Sequence, residues 1–335
     1  MNHSAQFHDT SWTKDVLGPD FQSLTLDLGP DYDELGDAVA TLVRYHPADD
    51  VSGWSSRPAL LWVHGLSDYF FHRHVAEYFH NHGFAFYAVD LRKAGRSERP
   101  GTSPHYVSNL RNYFPDLDAA TSVIAQQHTA VIPMAHSTGG LTVSLWAANR
   151  TGAHTRAAQY IPGVILNSPW LDLQFPTPVA TAIRMASRSV GKVAPRLPIP
   201  DDSLGAYGQS LYQGAHGHWD FNTEWKPLGG VKKYAGWMRA IVNAQGAVHD
   251  GLMLPMPVLT LCSTRSFSPK EYSSACDVAD VVLDVNDITH WAAKLGSPST
   301  VTPIEGARHD VFLSQPHALN NALKTTLTWL ESLNI

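Results

Sequence analysis

Two rhythms of apolar residues divide the chain. The early part alternates: in LTLDL (Leu24 to Leu28) and VATLVRYH (Val39 to His46) apolar and polar positions take turns, and the turn-rich GPDYDELGD lies between them. Alternation at period two turns one face of a strand inward, so the two stretches predict a pair of antiparallel strands. From Arg57 the pattern changes to short continuous apolar runs that each end in small or polar residues: ALLWVHG (Ala59 to Gly65), FAFYAVDL (Phe84 to Leu91), AVIPMAH (Ala130 to His136) and GVILNSPW (Gly163 to Trp170). Such runs suit strands buried on both faces of a parallel sheet. Between them, Val75 to His82, Leu110 to His128 and Thr138 to Arg150 carry apolar residues at spacings of three and four, the helical period. The alternation predicts βαβ units and an open, mostly parallel central sheet flanked by helices.

The rhythm stops at Leu171 and resumes after Met253. The intervening residues are rich in proline (Pro176, Pro178, Pro195, Pro198, Pro200) and aromatics, and they include the amphipathic VATAIRMASRSVGKV (Val179 to Val193). Arg184, Arg188 and Lys192 recur there every four residues, opposite Val179, Ile183, Ala186 and Val190, which predicts a solvated basic face or, more sharply, one that meets a membrane surface. HGHWDFNTEWKPLGG (His216 to Gly230) is expected to pack this insertion on the core and to help shape a pocket. PVLTLCS (Pro257 to Ser263), VNDITHWAAKLG (Val285 to Gly296), STVTPIEGA (Ser299 to Ala307) and ALNNALKTTLTWLESL (Ala318 to Leu333) then restore strand and helix. The expected organisation is a core in two parts, residues 1–170 and 254–335, with residues 171–253 inserted between later strands as a cap or lid.

Composition narrows the class of partner. The 335 residues are 44% hydrophobic and 16% charged, enough apolar material for a large core, and the net charge of −6 comes without a block of like charges. A nucleic-acid partner would need a basic footprint, so none is expected and a small molecule is. MNHSAQFHDTSWTKD has no basic stretch followed by an apolar one, and no run approaches the ~18 apolar residues of a membrane span, so a cytoplasmic protein without stable membrane insertion is expected. Cys262 and Cys276 are read as free thiols. The histidine pairs His72/His74, His80/His82 and His216/His218 are spaced to share a face only on a strand, and there is no HExxH, so neither metal nor cofactor is expected.

In a parallel sheet, ligands bind beyond the carboxyl ends of the strands. Three of those ends carry candidate chemistry. AVIPM runs into Ala135-His136-Ser137-Thr138-Gly139, ALLWV into His64-Gly65-Leu66-Ser67-Asp68, and STVTPIEGA into Arg308-His309-Asp310. A serine on a tight strand-to-helix turn needs φ > 0 and small residues two before and two after; Ala135 and Gly139 meet the size requirement, although glycine is usual at the former. The N–H of Thr138 opens a helix and can donate to an oxyanion, and Leu66 is positioned in sequence to supply a second N–H. His309 follows the last strand-like segment and is the candidate base for Ser137. His64 and His136 are read as structural, bracing the turns they sit on, and Asp90 with Arg92 and Arg96 in DLRKAGRS as structural too.

HGLSDYFFHRHVAEYFHNHGFAFYAVDLRKAGRSERP, AHSTGG and GARHDVFLS, in that order and over most of the chain, resemble the α/β hydrolases, and within them the branch of monoglyceride lipases and serine aminopeptidases. The resemblance implies Ser137 as nucleophile, His309 as base and the N–H groups of Leu66 and Thr138 as oxyanion hole. It implies an acid directly after the strand PVLTLCS, where TRSFSPKEYSSACDVA has no aspartate before Asp277. Asp280 in DVVLD is the first choice and Asp284 the second, with Asp277, Asp287 and Asp172 behind them, and the intervening insertion with Cys276 is expected to line the pocket. The activity implied is hydrolysis of a carboxylic ester, such as a monoacylglycerol or other acyl ester. Lactone hydrolysis with the same triad is an alternative, and a binding protein without catalysis is another.

Overall fold

Among the described residues nine strands form one sheet in the order β1-β2-β3-β5-β4-β6-β7-β10-β11. They are β1 (Thr13–Asp15), β2 (Gly18–Pro30), β3 (Asp37–Tyr45), β4 (Ala59–Val63), β5 (Ala85–Asp90), β6 (Val131–His136), β7 (Val164–Asn167), β10 (Val258–Ser263) and β11 (Ser299–Ile304). The computed structural model describes residues 11–48, 53–152, 160–199, 204–333 and 335, so most of the stretch searched for a leader lies outside the described residues. β1, β2 and β3 pair antiparallel, β3 joins β5 antiparallel, and every pairing from β5 through β11 is parallel. The alternating stretches are thus the antiparallel end of the sheet, and the continuous apolar runs are its parallel centre.

Period two along a central strand feeds two cores. Leu61 and Val63 of β4 join one apolar cluster, Leu60 and Trp62 the other, and all four are fully buried. α2 (Phe114–Ile124) and α3 (Thr138–Gly152) cover the first face through residues such as Leu117, Ile124, Leu141 and Trp146. α1 (Arg73–Asn81) and α8 (Pro316–Glu331) cover the second through Val75, Phe79, Ala322 and Leu323. α7 (Val285–Ala292) lies between β10 and β11 in the chain.

Between β7 and β10 the chain leaves the sheet and forms α4 (Thr177–Val193), α5 (Gly205–Leu211), α6 (Ala235–His249) and a two-stranded ribbon of β8 (Pro198–Ile199) and β9 (Lys233–Tyr234). The face of α4 turned to the protein is rotated from the one its sequence predicts, keeping only Ile183 of the four expected apolar residues. Val179 and Val190 are exposed, whereas Ala180 and Gly191 are buried and Arg184 bonds Asp172. The reason is close packing: a Cβ on Gly191 would lie 2.4 Å from the carbonyl oxygen of Ala235, so α4 meets α6 through its smallest residues, with Arg184 at the edge where a carboxylate receives it. Arg188 reaches Asn243 of α6. Among the described residues no helix is long and apolar enough to cross a membrane.

DLRKAGRS after β5 is a structural joint. Asp90, fully buried, accepts from the backbone N–H of Phe70 and Arg96 at 2.9 and 3.0 Å and from the Arg96 guanidinium at 2.7 Å, while Arg96 also bonds Asp15 of β1. Asp90 and Arg96 together therefore tie the loop after β4, the loop after β5 and the first strand. Removing the carboxylate would leave a buried guanidinium and two N–H groups short of an acceptor. Asp90→Ala is expected to lower the unfolding free energy by about 3–5 kcal/mol in urea titrations, with Asp90→Asn losing less because it keeps one acceptor.

Candidate active site

The carboxyl ends of β4, β6, β7 and β10 meet at one edge of the sheet, and Ser137 stands at the join of β6 and α3 with φ of 53°. That conformation is costly for a residue with a side chain, and the neighbours hold it. The N–H of Ser137 donates to the Asn167 carbonyl at 3.0 Å, and its carbonyl accepts from Gly140, Leu141 and Trp170. Gly139 lets the helix start against the neighbouring strand: a Cβ there would lie 2.3 Å from the carbonyl oxygen of His64 and 2.8 Å from that of Val63. Ala135 is buried in β6, where one methyl group is accommodated. Gly139→Ala must displace backbone and is expected to destabilise by about 3 kcal/mol in thermal unfolding.

The structure brings Ser137, His309 and Asp280 into one row. His309 Nε2 lies 3.0 Å from Ser137 Oγ, and His309 Nδ1 lies 2.8 Å from Asp280 Oδ2. A carboxylate only accepts, so Nδ1 carries the proton and Nε2 is left to accept from the serine hydroxyl. Asp280 is fully buried, and its other oxygen accepts from the N–H groups of Val282 and Leu283, both at 2.8 Å, which orients the carboxylate.

The distance of Asp280 from β10 along the chain is undone in space. After Ser263 the segment loops out and returns: Asp280 N–H donates to the Arg265 carbonyl at 3.0 Å, and its own carbonyl accepts from Phe267 at 2.8 Å. Asp280 thereby occupies the level of Ser266, a few residues past the strand. The loop is tied by Asp277, which bonds Arg308 and Tyr272. The remaining aspartates are held elsewhere. Asp284 caps α7 by accepting from Asn286, Asp287 sits in that helix's first turn, and Asp172 accepts from Trp291 and Arg184. Cys276 is buried and accepts from the Ser273 N–H; it is not among the residues lining the cavity described next.

A cavity of about 440 Å³ opens on Ser137 and His309. Trp170, Leu173, Ile183, Trp237 and Met238 line it, as do Ser67, Asp68, Tyr207 and Lys226. Leu66 and Thr138 also line it, beside Ser137. Segment 216–230 contributes Phe221 and Lys226, and its Trp219 donates to the Leu313 carbonyl, so it both packs the insertion on the core and shapes the cavity. The role of Lys226 had no signal in the sequence; its ammonium lies 2.8 Å from Asp68 Oδ1, and only the fold brings the two together.

His64 braces its turn: Nδ1 donates to the Gly65 carbonyl at 2.7 Å, and Nε2 accepts from the Leu91 N–H at 3.0 Å. His136 packs its ring 4.7 Å from that of His309 and donates to the Asn167 carbonyl. Asp68, His136 and Asp310 could in principle share a cation. Yet Lys226 already meets Asp68, and His72 and Asn167 take the oxygens of Asp310, so the set reads as an ion-pair network. Burial raises the Asp68 carboxyl, and the Lys226 ammonium together with the neighbouring His72, His136 and His64 outweighs it, leaving the group below its ordinary value.

Burial pushes His136 down to about 4 and His105 to about 3, from an ordinary 6.5, so both imidazoles are neutral in the fold. At neutral pH they are neutral in the unfolded chain too and cost nothing. As pH falls below 6.5 the unfolded chain binds protons that the folded one refuses, so stability is lost down to the folded values. Between pH 7 and pH 5 the loss is expected to be about 2 kcal/mol per imidazole in urea titrations, and His105→Asn, compatible with the positive φ there, should lose about that much less.

Residues 55–217 match the family described as serine aminopeptidase, S33. No curated protein matches the chain. Among solved structures, the monoacylglycerol lipase of Paleococcus ferrophilus is similar with a TM-score of 0.58 at 20% identity, over 83% of this chain and 96% of that one. A soluble variant of monoglyceride lipase from Saccharomyces cerevisiae, bound to a substrate analogue, has a TM-score of 0.62 at 15% identity, over 90% and 94%. Est1E from Butyrivibrio proteoclasticus, with ferulic acid bound, has 0.54 at 16% identity, over 88% and 96%. At these identities the structural likeness is one of fold. The parallel sheet with helices on both faces gives this chain the α/β-hydrolase fold, and its residues 55–217 are similar to the serine aminopeptidase family.

Proposed function

We propose that the chain is a serine hydrolase that cleaves a carboxylic ester through an acyl-enzyme. The observation that carries this reading is the unbroken hydrogen-bonded row from Ser137 Oγ through His309 to Asp280, with Ser137 and His309 lining a largely apolar cavity. His309 takes the proton of Ser137 as the hydroxyl attacks the ester carbonyl, and Asp280 holds the imidazole in the tautomer that can do so. The N–H groups of Leu66 and Thr138 receive the developing oxyanion, the second with the favourable end of α3 behind it. The imidazolium then protonates the leaving alcohol, and water repeats the cycle on the acyl-enzyme.

Residues 171–253 act as the cap and supply Leu173, Ile183, Trp237 and Met238, an apolar wall suited to an acyl chain. The names of two of the similar structures, a monoacylglycerol lipase and a monoglyceride lipase, agree with an acyl ester and with monoacylglycerol as the first substrate to try.

A fluorophosphonate probe with p-nitrophenyl esters of graded chain length tests this. Labelling and turnover are expected in the native chain and absent in Ser137→Ala, with kcat reduced at least ~100-fold in Asp280→Asn and little changed in Asp284→Asn. A native protein that neither labels nor turns over any ester would sink the reading.

A further inference from the structure

Ser137 and His309 lie 172 residues apart in the chain, and their 3.0 Å contact needs the elbow and the loop after β11 to be held in register. One buried residue spans both, through its main chain on one side and its side chain on the other. Asn167, at the end of β7 and fully buried, accepts the Ser137 N–H on its carbonyl. Its side chain reaches the other segment: Nδ2 donates to Asp310 Oδ1 at 2.7 Å, and Oδ1 accepts from the Val311 N–H at 3.1 Å. Asp310, the residue next to His309, is gripped further by His72 Nε2 at 2.9 Å, by the Phe312 N–H at 3.0 Å, and through its own N–H by the Tyr207 hydroxyl at 3.2 Å.

From this geometry we infer that Asn167, with Asp310 as its partner, is a positioning residue that sets Ser137 against His309. The inference rests on the triad proposed above. The residue type is demanded by its neighbours. One facing group is a carboxylate, which needs a donor, and the other an N–H, which needs an acceptor; a short amide supplies both from one rigid plane. Neither Asn167 nor Asp310 lines the cavity, so the pair acts on the reacting groups and leaves substrate contacts alone. Burial raises the Asp310 carboxyl, and the neighbouring His136 and His72 with the bonds from His72 and Asn167 outweigh it, holding it ionised well below the usual carboxylate range.

The test is Asn167→Asp, which keeps the shape and replaces a donor by a titratable group. With its proton, the introduced carboxyl donates to Asp310 and accepts from Val311 as the amide does; without it, two buried carboxylates face each other. Asp68 with its partner Lys226, His72, His136, Tyr207 and His309 are the other titratable groups around the pair, and dividing by the native rate at each pH removes their own contribution. The expected result is a relative kcat, and a relative rate of fluorophosphonate labelling at Ser137, that fall about 100-fold from pH 6 to pH 9 while KM stays within about twofold. Asn167→Ser, which lacks both bonds to the loop, is expected to lose kcat and labelling rate by about the same factor at every pH, and it decides the matter if Asn167→Asp does not fold. Rates within about twofold of native in these variants, or a loss that follows KM or the folded fraction measured by circular dichroism, would overturn the inference. A native protein that fails to label overturns the triad itself, which separates the two failures.

Discussion

The structure depends on keeping Ser137 in a conformation its own backbone resists. A serine at φ of 53° stays there only because the surroundings over-determine the turn. Its N–H is bonded to the end of β7, its carbonyl is shared by three N–H groups, and α3 begins at the next residue with Gly139 second in it, a glycine that no other residue can replace without striking the end of β4. Each of these contacts exists because β4, β6 and β7 are adjacent and parallel, so their carboxyl ends arrive at one level. The sheet is thus the device that makes the strained turn affordable, and the exposed hydroxyl is its product.

Around the turn the protein buries several charged groups. Asp68 pairs with Lys226, Asp90 at the end of β5 with Arg96, and Asp116 in the first turn of α2 with Arg92, while His72 hydrogen-bonds the Asp310 carboxylate. Pairs of this kind add little net stability, since desolvation consumes most of the Coulombic gain. What they supply is exclusivity of arrangement, because any slip would strand a charge without its partner. Loops that must hold a hydroxyl, an imidazole and a carboxylate within hydrogen-bond distance benefit from that constraint more than from added apolar packing.

Much of this was readable in the chain. The alternating stretches and the continuous apolar runs separated the antiparallel from the parallel strands, since period and length are local properties. Small residues around Ser137 and the histidine after the last strand marked two corners of the site for the same reason. The orientation of α4 was not readable, because its inward face is chosen by how closely α6 approaches and by where Asp172 waits for Arg184, and neither leaves a trace in hydrophobic periodicity. Lys226 and Asn167 gave no signal either; their partners are 158 and 143 residues away.

The amino-acid sequence by itself determined the layered α/β architecture, the elbow at Ser137 and the order of the candidate groups, because each is written in neighbouring residues. Which aspartate meets His309 was decided only in the tertiary structure. Five were available, and the choice of Asp280 follows from two backbone hydrogen bonds that fold the excursion after β10 back on Arg265 and Phe267, a closure that local sequence does not encode.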